Sequence, residues 1–173
     1  MSETMIDKLS LDRLRELFQL AGYRVETLTD PAADVAYLRS ATNGIAFDIR
    51  PGNPVPGDEP AFVDLALIAV LQVQGGLPLD LVNRWNATRR FARLHFSAPF
   101  LVLTSDMSVA GGVAPSHVRG QIEIWDQLVQ QLVSFLREEL AALAALKQTQ
   151  SGPQAAAASG SRTAELNAAH PVQ

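Results

Sequence analysis

The sequence predicts an α+β domain in which an antiparallel sheet packs against N-terminal, central and long C-terminal helices. Three observations carry this expectation. Asn43-Gly44 sits between two alternating segments and supplies the positive φ values of a two-residue hairpin turn. An apolar alternation runs through Ala61 to Gln74. From Val118 to Leu143, apolar residues recur every three or four positions for about seven turns of helix.

The elements follow in order. Ser10 offers an N-cap oxygen to a short amphipathic helix built on Leu11, Leu14, Leu17, Phe18 and Ala21, with Gly22 at its left-handed end. Tyr23 to Thr29, Val35 to Ser40 and Ile45 to Arg50 alternate as three strands of a meander. Pro51 to Pro60 carries four prolines and is expected to be an exposed loop, because proline cannot donate to a ladder. In Ala61 to Gln74, Val63, Leu65, Leu67, Leu71 and Val73 form one apolar face, while Asp64, Gln72 and Gln74 fall at the ends of the other, which suits a central strand. Pro78 opens a second helix, Leu79 to Thr88, at its first helical position. Ala92 to Ser97 and Phe100 to Met107 make a second hairpin around Ala98-Pro99. Gly111-Gly112 is read as a turn that needs free φ, and Pro115-Ser116 marks the start of the closing helix. At ~1.5 Å per residue that helix runs about 45 Å, longer than such a domain is wide. Part of it should then seek a partner. Residues 1–148 are expected to fold as one domain, and 149–173 to form a disordered Ala-rich tail, with seven alanines broken by Ser-Gly-Pro and Ser-Gly-Ser.

Composition narrows the function classes. Of 173 residues, 47% are hydrophobic and 18% charged, with a formal net charge of −4. Cysteine is absent, which removes disulfides, thiolate metal sites and a cysteine nucleophile. No basic and apolar leader is visible at Met1 to Lys8, and the longest apolar run, Leu65 to Leu71, is far short of the ~20 residues a membrane helix needs. A cytoplasmic protein without membrane contact is expected. His95, His117 and His170 show no metal-ligand spacing, so no metal and no cofactor are assigned. No catalytic residue is assigned either. Ser97, His95 and Asp106 are three of the residue types of a nucleophilic triad, but pairing Ser97 with Phe100 would leave His95 and Asp106 about 13 Å apart at ~3.4 Å per residue. Gly111-Gly112 lacks the flanking residues of a phosphate loop.

The segment Val82-Asn83-Arg84-Trp85-Asn86-Ala87-Thr88-Arg89-Arg90-Phe91-Ala92, followed by two strands and Val109-Ala110-Gly111-Gly112-Val113, resembles the YbjN family. The opening helix ending in Ala21-Gly22-Tyr23, the Asn43-Gly44 hairpin and the closing helix occur in that family's order, over about residues 10–140. The turn at Ser97-Ala98-Pro99 departs from the acidic, glycine-containing turn associated with the family. The resemblance implies a fold like that of type III secretion chaperones and a non-enzymatic role, either in bacterial sensory-transduction regulation or as a chaperone-like protein-binding module. A protein or peptide partner and a homodimer are implied with it.

The candidate binding residues are Asn83, Trp85, Asn86, Arg89, Arg90 and Phe91. Within this set Trp85 fits a core anchor beside Leu81 and Val82, and the two asparagines fit caps of nearby backbone groups. Arg84, Arg89, Arg90 and Arg93 concentrate positive charge, so that residues 78–119 carry +3 against −5 over residues 1–77. This segment either complements the acidic half or meets phosphates; a nucleic-acid-binding regulator and an enzyme of unknown class are the alternatives to a protein-binding module. Leu128 and Phe135, flanking the Trp125, Val129, Leu132 and Leu136 stripe, are the candidate dimer interface.

Overall fold

The computed structural model describes residues 4–74 and 76–150. The expected disordered tail therefore lies outside the described residues, apart from Thr149 and Gln150, which end the last helix. Eleven elements follow one another: α1 (Leu11–Leu20), β1 (Glu26–Asp30), β2 (Val35–Thr42), β3 (Ile45–Pro51), β4 (Pro54–Val55), β5 (Ala61–Phe62), β6 (Asp64–Gln72), α2 (Leu79–Thr88), β7 (Arg93–Ser97), β8 (Phe100–Ser108) and α3 (Pro115–Gln150). Six strands form one antiparallel sheet in the order β1-β2-β3-β6-β8-β7. The described residues divide into one compact unit that runs to Phe135 and a second that begins at Leu136.

Local chemistry sets most boundaries. The Ser10 hydroxyl accepts the Arg13 backbone N–H at 3.2 Å, satisfying a donor left free at the start of α1. Asn43 (φ 50°) and Gly44 (φ 77°) close the β2–β3 hairpin as expected, aligning Ser40 with Phe47 and Leu38 with Ile49. β6 is central, between β3 and β8, and its apolar alternation reappears as burial: Leu65, Leu67 and Ala69 face the core. Several boundaries differ from expectation, the first strand beginning at Glu26 rather than Tyr23. β6 begins at Asp64 because the chain bends at Val63, and Ala61–Phe62 instead pairs with Pro54–Val55, so the proline-rich loop carries a two-residue ribbon. Asp64 organises that loop, accepting the Asn53 backbone N–H at 2.9 Å and its amide at 2.6 Å. Gly52 passes so close that a Cβ there would sit 1.7 Å from the Asp64 Oδ1, so a side chain would have to displace the carboxylate that holds Asn53. Pro78 caps α2 from outside, with Leu79 the first helical residue.

The core lies on one face of the sheet. From α1 come Leu14, Leu17 and Phe18, from α2 Leu81, Val82 and Trp85, and from α3 Val118, Ile122, Trp125, Val129 and Leu132. The Trp125 ring meets Phe47 at 5.5 Å, and Phe47 in turn meets Phe18 and Tyr23 at 6.3 and 6.0 Å. α3 is therefore packed against the sheet through Trp125 and against α2 through Phe135, which lies edge-on to Trp85 at 5.5 Å. Leu128 is only 5% exposed, and the partly exposed Phe135 lies against Trp85.

One polar knot ties α3 to the strands. The Asp126 carboxylate accepts the hydroxyls of Tyr23 (3.3 Å) and Thr42 and the Asn43 amide (3.3 Å). Asp126→Ala would leave these donors without their acceptor and should cost about 1–3 kcal/mol, read as a lowered denaturation midpoint. Burial, followed by the negative charge of Asp126, raises the Tyr23 pKa above its ordinary 10.0. The folded chain thus holds a phenolic proton that the unfolded chain gives up. This stabilisation is intact below the unfolded value and is lost as pH rises through the folded one. Unfolding followed above about pH 10 should show the loss, and Tyr23→Phe should flatten it.

Candidate functional site

The six candidate binding residues meet where α2 hands over to the edge strand β7, but they do three different things. Trp85 is fully buried, with its indole against Phe135 and the Arg89 guanidinium 5.4 Å from its ring centre. Its role is packing, as the helical spacing suggests. Asn86 pairs with the backbone of Leu94: its amide donates to the Leu94 carbonyl and its oxygen accepts the Leu94 N–H, both at 2.8 Å. The side chain thereby satisfies backbone groups on the open side of an edge strand, which would otherwise template pairing with another chain. Asn83 is exposed, and its side chain makes no hydrogen bond among the described residues.

Of the remaining three, Arg90 and Phe91 are exposed and Arg89 is half-buried against Trp85. After α2 ends at Thr88, whose hydroxyl donates back to the Arg84 carbonyl at 2.7 Å, the chain turns sharply into β7. The turn is made at Phe91, with φ 69°, a left-handed conformation rare for a bulky residue. The Ser105 hydroxyl pins it, donating to the Phe91 carbonyl at 2.7 Å. The Phe91 ring is nevertheless 61% exposed, with the Arg90 guanidinium 5.4 Å from its centre. Arg89 reaches only the Thr88 oxygens, and Arg90 has no ion pair among the described residues. The neighbouring Arg93 is paired with Asp106, and Arg84 with Asp80.

A concave feature lies on the other side of the sheet order, beside the Asp126 knot. A cleft of ≈ 1190 Å³ runs between the end of α1, the β2–β3 hairpin and the first turns of α3. Arg24, Arg39 and Arg119 line it together with Glu26, Glu123 and Asp126, so its rim carries both signs without a sharp preference. Arg39 is engaged with Asp48 at 2.7 Å. This cleft was not legible in the sequence. Asn43 gave a signal, but only as a turn residue, and its partner Asp126 lies 83 positions away.

Neither place assembles a nucleophile, a base and an orienting group. The register aligns Ser97 with Phe100 and His95 with Val102, leaving Asp106 four residues further along β8. Among the described residues no three His, Cys, Asp or Glu side chains gather around a point where a metal could sit, and no helix is long and apolar enough to cross a membrane.

Two substitutions separate the packing role from the edge role. Trp85→Ala should destabilise the domain by about 3–5 kcal/mol, as for other large buried aromatics. Asn86→Ala should cost less, about 1–3 kcal/mol, since two backbone groups lose their partner while the core stays filled. Calorimetry would rank them, and hydrogen exchange at Leu94 should accelerate in the Asn86 variant before any global unfolding.

Comparison with known proteins adds to this geometry. No curated protein matches the chain. A crystal structure of YbjN from E. coli, described as "a putative transcription regulator", has the same fold, with a TM-score of 0.55, at 16% sequence identity, over 74% of this chain and 90% of that one. The sequence matches the YbjN family, described as "Putative bacterial sensory transduction regulator", across residues 10–138, which include both the α2 motif and the cleft. With the antiparallel sheet and its three helices in the arrangement of that structure, the chain belongs to the YbjN family.

Proposed function

We propose that this protein is a non-enzymatic bacterial regulator that acts by binding another protein, and that Phe91 and the arginines beside it form the docking corner. One observation carries the proposal. A left-handed bulky residue costs about 1–3 kcal/mol, a cost usually offset when its side chain fills a core. Phe91 stays in that conformation with its ring in solvent. An exposed aromatic flanked by arginine has the chemistry of an interface anchor. The family description, sensory-transduction regulation, supports the same direction.

Phe91→Gly separates binding from folding. Glycine accepts φ 69° without strain, so the variant should melt at the same temperature as the wild type or higher, despite glycine's entropy cost of roughly 0.5–1 kcal/mol. Affinity capture from the native host should lose the bound protein all the same. A variant that is as stable as the wild type and captures the same protein equally well would move the docking site elsewhere.

Dimerisation is proposed on a different surface from Leu128 and Phe135. In the last turns of α3, Leu136, Leu140, Leu143 and Leu146 recur at three- and four-residue spacing, and Leu140 and Leu146 are 52% and 60% exposed. A second copy offering the same stripe would cover them, as in a helical pair. Light scattering should report a mass near twice 18.7 kDa, and Leu140→Glu with Leu146→Glu should return a folded monomer. A wild-type monomer at every concentration would remove this proposal.

A further inference from the structure

Resting on the corner reading above, we infer that the ligand class of this site is an acidic protein segment with an apolar side chain among its carboxylates. The charge state of each arginine supports it. Arg93 and Arg84 are neutralised locally by Asp106 and Asp80. Arg89 and Arg90 are matched by no carboxylate among the described residues, and they are consecutive in sequence immediately before the exposed Phe91 ring. The Arg89 Nε is buried without a hydrogen-bond partner, and its guanidinium is held by the Trp85 ring and the Thr88 oxygens. A guanidinium held in this way presents its remaining N–H groups in a set direction, which favours a planar carboxylate.

Two unmatched positive charges beside one aromatic ring make a compact site. Nucleic acid asks for more, namely a basic track that neutralises successive phosphates. Here the flanking arginines are already paired with aspartates, and the whole chain carries −4. A strand of phosphates crossing the corner would meet Asp80 and Asp106 as well as the arginines. A short acidic segment can place carboxylates on Arg89 and Arg90 and a leucine or aromatic side chain on Phe91 without crossing either aspartate.

Fluorescence anisotropy on the full chain tests this with three labelled probes: a glutamate-rich peptide with one central leucine, the same peptide with lysine replacing glutamate, and a single-stranded oligonucleotide. The acidic peptide should bind and weaken with added salt, and the lysine peptide should not bind. Arg90→Glu and Phe91→Gly should each reduce the acidic peptide's affinity by about tenfold or more. Arg24→Glu makes the same change in net charge on the chain before β1, at the opposite edge of the sheet, and should leave binding unchanged. An acidic peptide bound equally by wild type and Arg90→Glu overturns the inference, as does an oligonucleotide that binds more tightly than the peptide. If Phe91→Gly still loses the captured host protein while no acidic peptide binds, the ligand class is wrong and the docking corner stands.

Discussion

The contact between Trp125 and Phe47 is the one on which the rest of this structure depends. A six-stranded sheet with one apolar face is stable only when that face is covered, and Trp125 is the largest side chain that α3 places against it. Around Phe47 the rings of Phe18 and Tyr23 close the same cluster, so α1, the sheet and α3 share one set of aromatic contacts. The indole N–H of Trp125 is buried without a hydrogen bond, as is that of Trp85. An unmade hydrogen bond of this kind costs about 1–3 kcal/mol. Removing a large aromatic from a core costs about 3–5 kcal/mol. Packing therefore outweighs the lost hydrogen bond at both positions.

With its helices on one side, the sheet must manage its other face and its edges by separate means. Ion pairs do much of this on the open face. Arg39 and Arg50 share Asp48, Arg50 also reaches Asp30 at 2.9 Å, and both guanidiniums lie over the Tyr37 ring. The Arg50 hydrogen bond, reinforced by backbone donors, holds the Asp30 carboxyl below the usual carboxylate range. At the β7 edge a side chain takes the place of a strand, with the Asn86 amide matching the Leu94 backbone. Arginines are thus balanced in most places by an aspartate one strand or one helical turn away. Arg89 and Arg90 are adjacent and carry no such pair among the described residues, next to Phe91 in a left-handed backbone conformation.

In the asparagine-tryptophan motif, adjacent residues serve different structural ends. Trp85 faces inward and Asn86 reaches sideways to β7, because successive helical positions differ by about 100° around the axis. Those two residues determine where α2 stops relative to the edge strand. The chain then has only Arg89 to Ala92 in which to reverse into β7, and a left-handed residue makes that reversal possible. Phe91 is exposed as a consequence of this short connection. Glycine would satisfy the backbone more easily, so the presence of phenylalanine there asks for a reason outside the fold.

Several features were determined by the sequence alone because their causes are local. Ser10 caps its own helix, Asn43-Gly44 twists its own hairpin, and the alternation in β6 reports burial on one face. Such signals act within a few residues, and element order and fold class follow from them. The tertiary structure decided the rest. The apolar pattern of Phe135 does not say what lies against it, and its edge-on contact with Trp85 follows only from where α2 comes to rest. Asp126 finds Thr42 across 84 residues, a pairing that neither segment announces. The positive φ of Phe91 arises from the geometry between α2 and β7 and from the Ser105 hydroxyl, not from any preference of phenylalanine. Local propensity and periodicity specify which elements form, whereas side-chain exposure at a crowded helix and strain at a connection depend on where distant elements come to rest.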